Sequence, residues 1–455
     1  MNFIEFLDKA MAGFSGFMWG TPLVVLLVGG GIYFTAFSRF IPFRYFGHAV
    51  NILRGKYDKV NDPGQINHFQ ALSSALASTV GMGNIGGVAL AIHTGGPGAL
   101  FWMWISAIIG MATKFFTCTL SIMYRGKDDA GEIQGGPMYV IQEGLGKKFK
   151  PLAMLFSIAG VFGCFVLFQA NQLAQIVRDE IYVPNKLFLN SPDLGNLVTG
   201  ICTAFIVSLV VFGGIRRIGK VAAKLVPFMV VIYLVAAFII LIKHFSDIPD
   251  VFLTIIQDAF TGDAVLGGSL GMIISVGIKR AAFSNEAGIG TEAMAHGAAK
   301  TQEPVREGLV AMLGPFIDTI VVCSITAFVI LISGIESSEV NGVTLTTMAF
   351  TNELGFPGKI LLMIAVFTFS LTTMFGYSYY GRKCTGHLFG TRYKDVYNWF
   401  YIFAIIVASV ISIDIAINFV DGLFALMAVP TMISTLLLSP KVMQAAKKYF
   451  ATLEQ

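Results

Sequence analysis

The stretch Ser78-Thr79-Val80-Gly81-Met82-Gly83-Asn84-Ile85-Gly86-Gly87 decides how this chain is read. It falls about ten residues into an apolar run spanning 70–94, long enough to cross a bilayer, and so lies near the membrane midplane. Four glycines in seven residues are costly inside a helix. Backbone groups freed there find no water in lipid, so an unwound segment survives only against protein, a cavity or a ligand. Two half-helix ends would then face each other at mid-membrane. One offers N–H groups and a positive dipole to a carboxylate, and the other offers carbonyl oxygens to a cation.

Two other meanings of these glycines compete. Gly83 and Gly87 have the GxxxG spacing of close helix packing. Thr79 and Asn84 add polar side chains that packing does not need, which favours the broken helix. Gly81, Gly83 and Gly86 also spell GxGxxG, but no strand precedes them and the region some 20 residues on, FWMWIS at 101–106, lacks the acidic ribose partner of a dinucleotide site.

The composition agrees with a membrane setting. Of 455 residues 55% are apolar and 13% charged, where a soluble domain carries about 25% charged residues. A soluble enzyme, a disordered hub, a disulfide scaffold and a nucleic-acid binder are excluded. The net charge of +4 therefore has to be read by its placement. The five cysteines lie in or beside apolar runs without close spacing, so neither a disulfide nor a metal cluster is expected. MNFIEFLDKA has no basic segment ahead of an apolar core, so it does not look like a cleaved signal peptide, and the first span is expected to be retained.

Hydropathy predicts eleven spans, near 17–37, 70–94, 98–124, 151–178, 196–214, 218–242, 265–297, 308–333, 358–381, 396–413 and 419–438. Alternating the loops puts 25 of the 31 Lys and Arg on one side, in 38–69, 125–150, 215–224, 279–306, 382–394 and after 440. The other side receives Lys9, Arg178, Lys186, Lys243 and Lys359, and Lys114 sits inside a span. The basic side is the cytoplasmic one, which places the N-terminus outside and the C-terminus in the cytoplasm of a multi-pass protein of the plasma membrane. The loop 243–264, with Asp247, Asp250, Asp258 and Asp263, suits a short amphipathic helix on the outer surface.

A second interruption is expected in the seventh span. A helix entering near 265 reaches the midplane at Ile273-Ile274-Ser275-Val276-Gly277, and Phe283-Ser284-Asn285-Glu286-Ala287-Gly288-Ile289-Gly290-Thr291-Glu292 follows towards the cytoplasm. Either this helix stops and restarts, or it ends near Gly277 and 283–300 is a loop. Spans two and seven are an odd number apart, so they run in opposite directions. A leading helix and loop (1–69), two five-helix units (70–245 and 246–440) and a tail (441–455) would then form an inverted repeat, with the binding site at the paired breaks.

The run Phe283 to Ala298, FSNEAGIGTEAMAHGA, resembles the signature of the alanine or glycine:cation symporter family, within the amino acid-polyamine-cation superfamily. Thr79 to Asn84 is similar to the unwound first core helix of sodium-coupled amino-acid transporters with the leucine-transporter-like five-plus-five fold. The resemblance implies an all-α polytopic protein with two discontinuous helices that moves a small neutral amino acid together with sodium into the cytoplasm. It implies that the backbone at Met82 and Gly83 meets the substrate carboxylate, and that Thr79 and Asn84 take part in a substrate or sodium site. Carbonyls around Ala77 and Val80, with hydroxyls of Thr372 and Thr373, would hold sodium; Thr368 and Ser370 stand nearby. Gln169 or Gln172 would supply a contact from the fourth span, where the Tyr of some relatives is absent. The backbone of Ile273, Ile274, Ser275, Val276 and Gly277 would hold the amino group.

The residues themselves suit that cargo. Sodium prefers hard oxygen donors, and a zwitterion needs only backbone ends and hydroxyls. Walls such as Phe168 and Ile273 would admit Gly or Ala and exclude Leu or Phe, because overpacking a closed pocket is costly. Asp318, in GPFIDTIVV, is an intramembrane carboxylate that could bind sodium with Asn84, carry a proton, or bond a neighbouring helix end. Lys114 reads as a structural or snorkelling cation, His93 as interfacial, and Arg216-Arg217 and Lys447-Lys448 as topology determinants with anionic lipid in reach. Proton-coupled symport and a substrate-gated channel or sensor are the competing functions. No nucleophile, base and orienter stand at a recognisable spacing, so an enzyme is not expected and no cofactor is implied.

Overall fold

The computed structural model describes residues 3–58, 62–261, 270–335 and 341–453. Most of them are helical. In chain order the main helices are α1 (Phe3–Met18), α2 (Thr21–Phe37), α3 (His68–Thr79), α4 (Val88–Gly95), α5 (Ala99–Met123), α6 (Lys150–Gly163), α7 (Leu167–Val177), α8 (Pro192–Val211), α9 (Gly214–Lys243) and α10 (Ile248–Thr261). They continue with α11 (Leu270–Asn285), α12 (Glu292–His296), α13 (Pro304–Ala311), α14 (Ser324–Ile332), α15 (Gly342–Leu354), α16 (Phe356–Phe389), α17 (Lys394–Ala408) and α18 (Ile413–Ala451). A two-residue hairpin, β1 (Gly126–Lys127) with β2 (Ile133–Gln134), is the one sheet among the described residues.

Among the described residues seven helices or helix runs are long and apolar enough to cross a membrane, and two bent helix pairs bring the number to nine if each is one span. α1 and α2 meet at 44°, and α3 meets the Gly83–Gly95 segment at 51°. The spans expected at 265–297 and 396–413 hold the shorter helices α11 and α17, of 16 and 15 residues. α10 occupies the expected amphipathic loop; Asp263 and the expected helix entry near 265 lie outside the described residues.

α3 starts at a capping box, in which Asn67 Oδ1 accepts from Gln70 N at 2.8 Å and Gln70 Oε1 accepts from Asn67 N at 3.2 Å. It ends at Val80, whose backbone is extended (φ −75°, ψ 94°), and the chain resumes as a π-helix over Gly83–Gly87 before α4. The expected break is therefore present. A further π-helical stretch, Phe316–Cys323, interrupts the span from α13 to α14, and shorter ones lie at Val140–Leu145 and Arg178–Tyr182. π turns inside α-helices are rare and concentrate at functional sites.

The second interruption lies elsewhere than expected. α11 runs unbroken through Ile273–Gly277 and stops at Asn285. Glu286 then adopts a left-handed backbone (φ 58°), and Gly288 and Gly290 follow at φ 87° and 94°, before the short α12. Gly277 was a poor guide because its missing side chain serves packing: a Cβ there would strike the α5 backbone at Ala99 and the Trp102 side chain. A left-handed turn favours glycine, and the Gly288/Gly290 pair supplies it.

Loop contacts define two faces. On one, Arg125 donates to the carbonyls of Gly297, Pro63, Ala299 and Thr301, Ile66 bridges to Ala299, Lys394 pairs with Asp128, and Arg306 reaches Tyr449. On the other, Gly98 N donates to Asp258, Lys243 pairs with Glu353, Lys359 with Glu180, and Ser412 bonds Asp8. α8 and α9 present Phe205, Leu209, Val231, Val235 and Phe238 outwards, as helices facing lipid do.

Candidate substrate and cation site

Every residue from Ala71 to Ala89 is buried, so the break is enclosed by protein on all sides. Asn84 organises it. Its Oδ1 accepts from Gly81 N at 2.8 Å, bridging the gap left by the unwound turn. Its Nδ2 donates to Asp318 Oδ1 at 2.7 Å and to the Asp318 carbonyl at 3.0 Å. The other carboxylate oxygen of Asp318 accepts from Ser284 Oγ and from Thr319 Oγ1, each at 2.8 Å. Thr319 in turn accepts from Asn285 Nδ2 at 2.9 Å. Three chain segments thus converge on one buried carboxylate: the π turn after the break, the end of α11, and the π stretch Phe316–Cys323. Burying that group without donors would cost several kcal/mol or more; three donors offset it.

Asp318 lies against Asn84, and the two π segments Gly83–Gly87 and Phe316–Cys323 supply the contact. Thr79, at the end of α3, donates to Ala75 O at 3.2 Å within its own helix. Ala77 and Val80 lie in the last turn and the cap, where helix carbonyls lose their intrahelical partners. Of the paired hydroxyls, Thr373 meets the break, since a Cβ on Gly81 would run into its Oγ1. Thr372 faces away, bonding Thr368 O at 2.8 Å with Met229 Sδ of α9 at 3.3 Å. Adjacent helical residues point about 100° apart, so only one of the two can face Gly81.

Met82 is fully buried, and Gly83 lies against the Ser284 backbone and the Phe283 ring. The α11 residues at the break are therefore Phe283 and Ser284. Ile273–Gly277 lies nearer the other end of α11, with Val276 against Gly95 and Gly277 against Ala99. Ile273, Ile274 and Ser275 share that level within the continuous helix. On α7, Gln169 is buried, but Phe168 and Gln172 are the side chains that meet Gly86. Gln172 Oε1 accepts from Val343 N at 2.9 Å, and the Phe168 and Phe283 rings pack edge to face with centroids 5.4 Å apart. Ser284, Thr319 and Phe283 were missed as site residues, although Phe283 and Ser284 open the FSNEAGIGTE run.

One turn before Phe283, Arg280 pairs with Asp421 of α18, Lys279 Nζ stands 2.8 Å from the same carboxylate, and the Arg280 guanidinium lies over the Phe283 ring at 5.4 Å. On the other side of the break, Glu286 accepts from Thr291 and Tyr377. Lys114 is buried and close enough to act electrostatically on Glu286, Glu292 and Asp318. It is a structural cation among carboxylates rather than a snorkelling one. Among the described residues no group of three or more His, Cys, Asp or Glu could hold a metal ion, and the five cysteines are free.

A broken helix beside a buried, donor-ringed carboxylate, in a chain of long apolar helices, is the architecture of a polytopic membrane transporter. Residues 4–455 match the sodium:alanine symporter family, and the chain belongs to it. It is 38% identical over 458 residues to the sodium/alanine symporter AgcS of Methanococcus maripaludis, covering 99% of this chain and 98% of that one. It is 37% identical to an uncharacterized transporter of Haemophilus influenzae (98% and 97% covered) and 32% identical to a probable sodium/glutamine symporter, GlnT, of Bacillus subtilis (98% and 91%). Among solved structures the fold is similar to MhsT in complex with L-phenylalanine (TM-score 0.56, 13% identity, 83% of this chain and 89% of that one). It is also similar to a manganese transporter of Eremococcus coleocola (TM-score 0.51, 13% identity, 85% and 82%). The protein is a multi-pass membrane transporter of the amino-acid symporter type, not an enzyme.

Proposed function

We propose that this protein takes up alanine or glycine into the cytoplasm with sodium, by alternating access around the Val80–Gly83 break. The convergence of Asn84, Ser284 and Thr319 on Asp318 beside that break carries the reading. The Asp318 carboxylate and the Ser284 and Thr319 hydroxyls offer oxygens, the donor type sodium prefers, with Cys323 Sγ alongside, and the hydroxyl protons can rotate away to free lone pairs for an ion. The positive end of the helix that resumes at Gly83 suits the substrate carboxylate, and carbonyls at Ala77 and Val80 with Thr373 Oγ1 suit a second oxygen-lined ion position. Phe168, Phe283 and Gln172 crowd Gly83 and Gly86, which favours a side chain no larger than a methyl group.

We read the chain as eleven crossings, with α11 and α17 as short ones and with spans two to six and seven to eleven as an inverted pair. The gathering of residues 54–58, 62–67, 125–136, 297–306 and 382–394 on one face supports that count, and their basic side chains favour the cytoplasm for that face. Reconstituted protein with an inward sodium gradient should concentrate alanine inside vesicles; equilibration without accumulation would make it a channel. Asp318, enclosed and titratable, supports proton coupling as a second reading. Alanine counterflow with and without sodium at fixed pH separates the two.

A further inference from the structure

The two broken helices are tied together at the basic face by a group that the transport reading does not use. Glu307 of α13 is fully buried, and each of its oxygens meets a different imidazole: His68 Nδ1, from the first turn of α3, at Oε2, and His296 Nδ1, from the end of α12, at Oε1 at 2.5 Å. One carboxylate therefore fastens the start of the first broken helix to the segment that follows the second break.

The outward nitrogen of His68 faces a further carboxylate, and that of His296 lies within electrostatic reach of one without pairing to it. His68 Nε2 is 4.0 Å from Asp58 Oδ1. His296 Nε2 is buried without a partner, and so is Glu292 Oε2, one turn earlier on the same face of α12. A neutral imidazole carries one N–H and can satisfy one of two flanking carboxylates; only the doubly protonated ring donates to both. The remaining charged or titratable groups around the node are Arg306 beside His68, Arg125 beside Glu307, and Lys114 and Cys118 of α5 beside Glu292. From α16, Lys383 donates to the Met294 carbonyl of α12 and Tyr379 lies within electrostatic reach of Arg125.

We propose that His68, Glu307, His296 and Glu292 form a proton-binding site that latches the cytoplasmic ends of the two broken helices. A proton from cytoplasmic water adds to His296 Nε2 and lets the ring bridge Glu307 and Glu292. The same proton returns to water when α3 and α12 separate to open the inward path. Deprotonated, the node sets an imidazole lone pair against a carboxylate and holds less firmly. The assignment of this face to the cytoplasm rests on the proposed orientation; the latch itself does not.

Hydrogen–deuterium exchange on the full chain in lipid nanodiscs at pH 6 and pH 8, corrected for intrinsic rates, tests it without any transport measurement. Peptides covering 64–76 and 292–303 should exchange several-fold faster at the higher pH in the wild type. The difference should vanish in His296→Gln and in Glu292→Gln, the second keeping the shape of the site. An equal pH response in the wild type and both variants, or none in the wild type, overturns the latch. Failure of vesicles to accumulate alanine would instead overturn the proposed transport while leaving the exchange result readable.

Discussion

Asn84 and Asp318 are joined twice, the Asn84 amide nitrogen reaching both the carboxylate and the main-chain carbonyl of the same residue, 234 positions away. One planar amide thereby fixes the distance between the broken helix and the π stretch Phe316–Cys323, while its oxygen holds Gly81.

Removing that amide should therefore disable transport more than it unfolds the protein. Asn84→Ala leaves Asp318 with two donors and Gly81 N with none, a cost of about 1–3 kcal/mol. Sodium-driven alanine uptake should fall at least tenfold, while size exclusion shows a folded monodisperse species. Unchanged uptake and unchanged alanine affinity would place the site elsewhere.

Gly81 is needed for space. A Cβ there would run into Thr373 Oγ1, so Gly81→Ala should abolish uptake. Adding Thr373→Ala removes the obstructing hydroxyl. The double variant should recover thermal stability while its sodium affinity, read from the sodium dependence of alanine binding, stays weak. Recovery of wild-type sodium affinity would exclude Thr373 as an ion ligand.

Pocket size should be tunable from α7. Phe168→Ala removes the ring packed edge to face on Phe283, and uptake of a larger neutral amino acid such as valine should rise relative to alanine. A gain of roughly tenfold or more in the valine-to-alanine ratio of kcat/KM matches the 1–3 kcal/mol of one or two methyl-sized contacts. A ratio that does not move would mean that Phe168 does not line the substrate.

Breaking the ion pair before Phe283 should act on stability. Asp421→Asn leaves Lys279 and Arg280 side by side without their shared anion, and losing one partner of a buried pair costs about 3–5 kcal/mol. A melting temperature equal to that of the wild type would show that water already screens these charges.

Outside the spans, His244 gives a pH signature. Its hydrogen bonds to Asp247 and then Glu353 raise its pKa above 6.5, while Asp247 is lowered by the same contact and Glu353, against its burial, by hydrogen bonds from Lys243 and then His244. A raised histidine contributes fully below its unfolded value and loses that contribution as pH rises through its folded value. The two carboxylates stay ionised across this window. Melting temperature should thus drop on going from about pH 6.5 to pH 8.5 more in the wild type than in His244→Gln; parallel profiles would leave the contact without weight.

How far the fold was legible depended on whether a residue's meaning was local. Gly81 to Gly87 announced a break because glycine density acts on the backbone where it stands, and Asp318 announced itself because a carboxylate in an apolar run has few explanations. Asn84 was matched to Asp318 on chemistry alone. Ile273–Gly277 misled because the level at which α11 meets the break is set by contacts of Val276 with Gly95 and of Gly277 with Ala99 and Trp102, which have no signature in a single sequence. Thr372 and Thr373 could not be told apart for the same reason: rotation about a helix axis is fixed by its neighbours.

Gly83–Gly87 and Phe316–Cys323, the two coils that carry Asn84 and Asp318, each hold more residues per turn than the helices they interrupt. A π coil can tighten to α by passing one residue of slack along the chain, which turns every side chain in it by about 100°. Asn84 and Asp318 can then be swung apart by rewinding one turn, with the flanking helices still lodged in the bilayer. The Asn84–Asp318 junction is in this sense a slack knot in two ropes, undone by a twist at either strand without hauling on the ends.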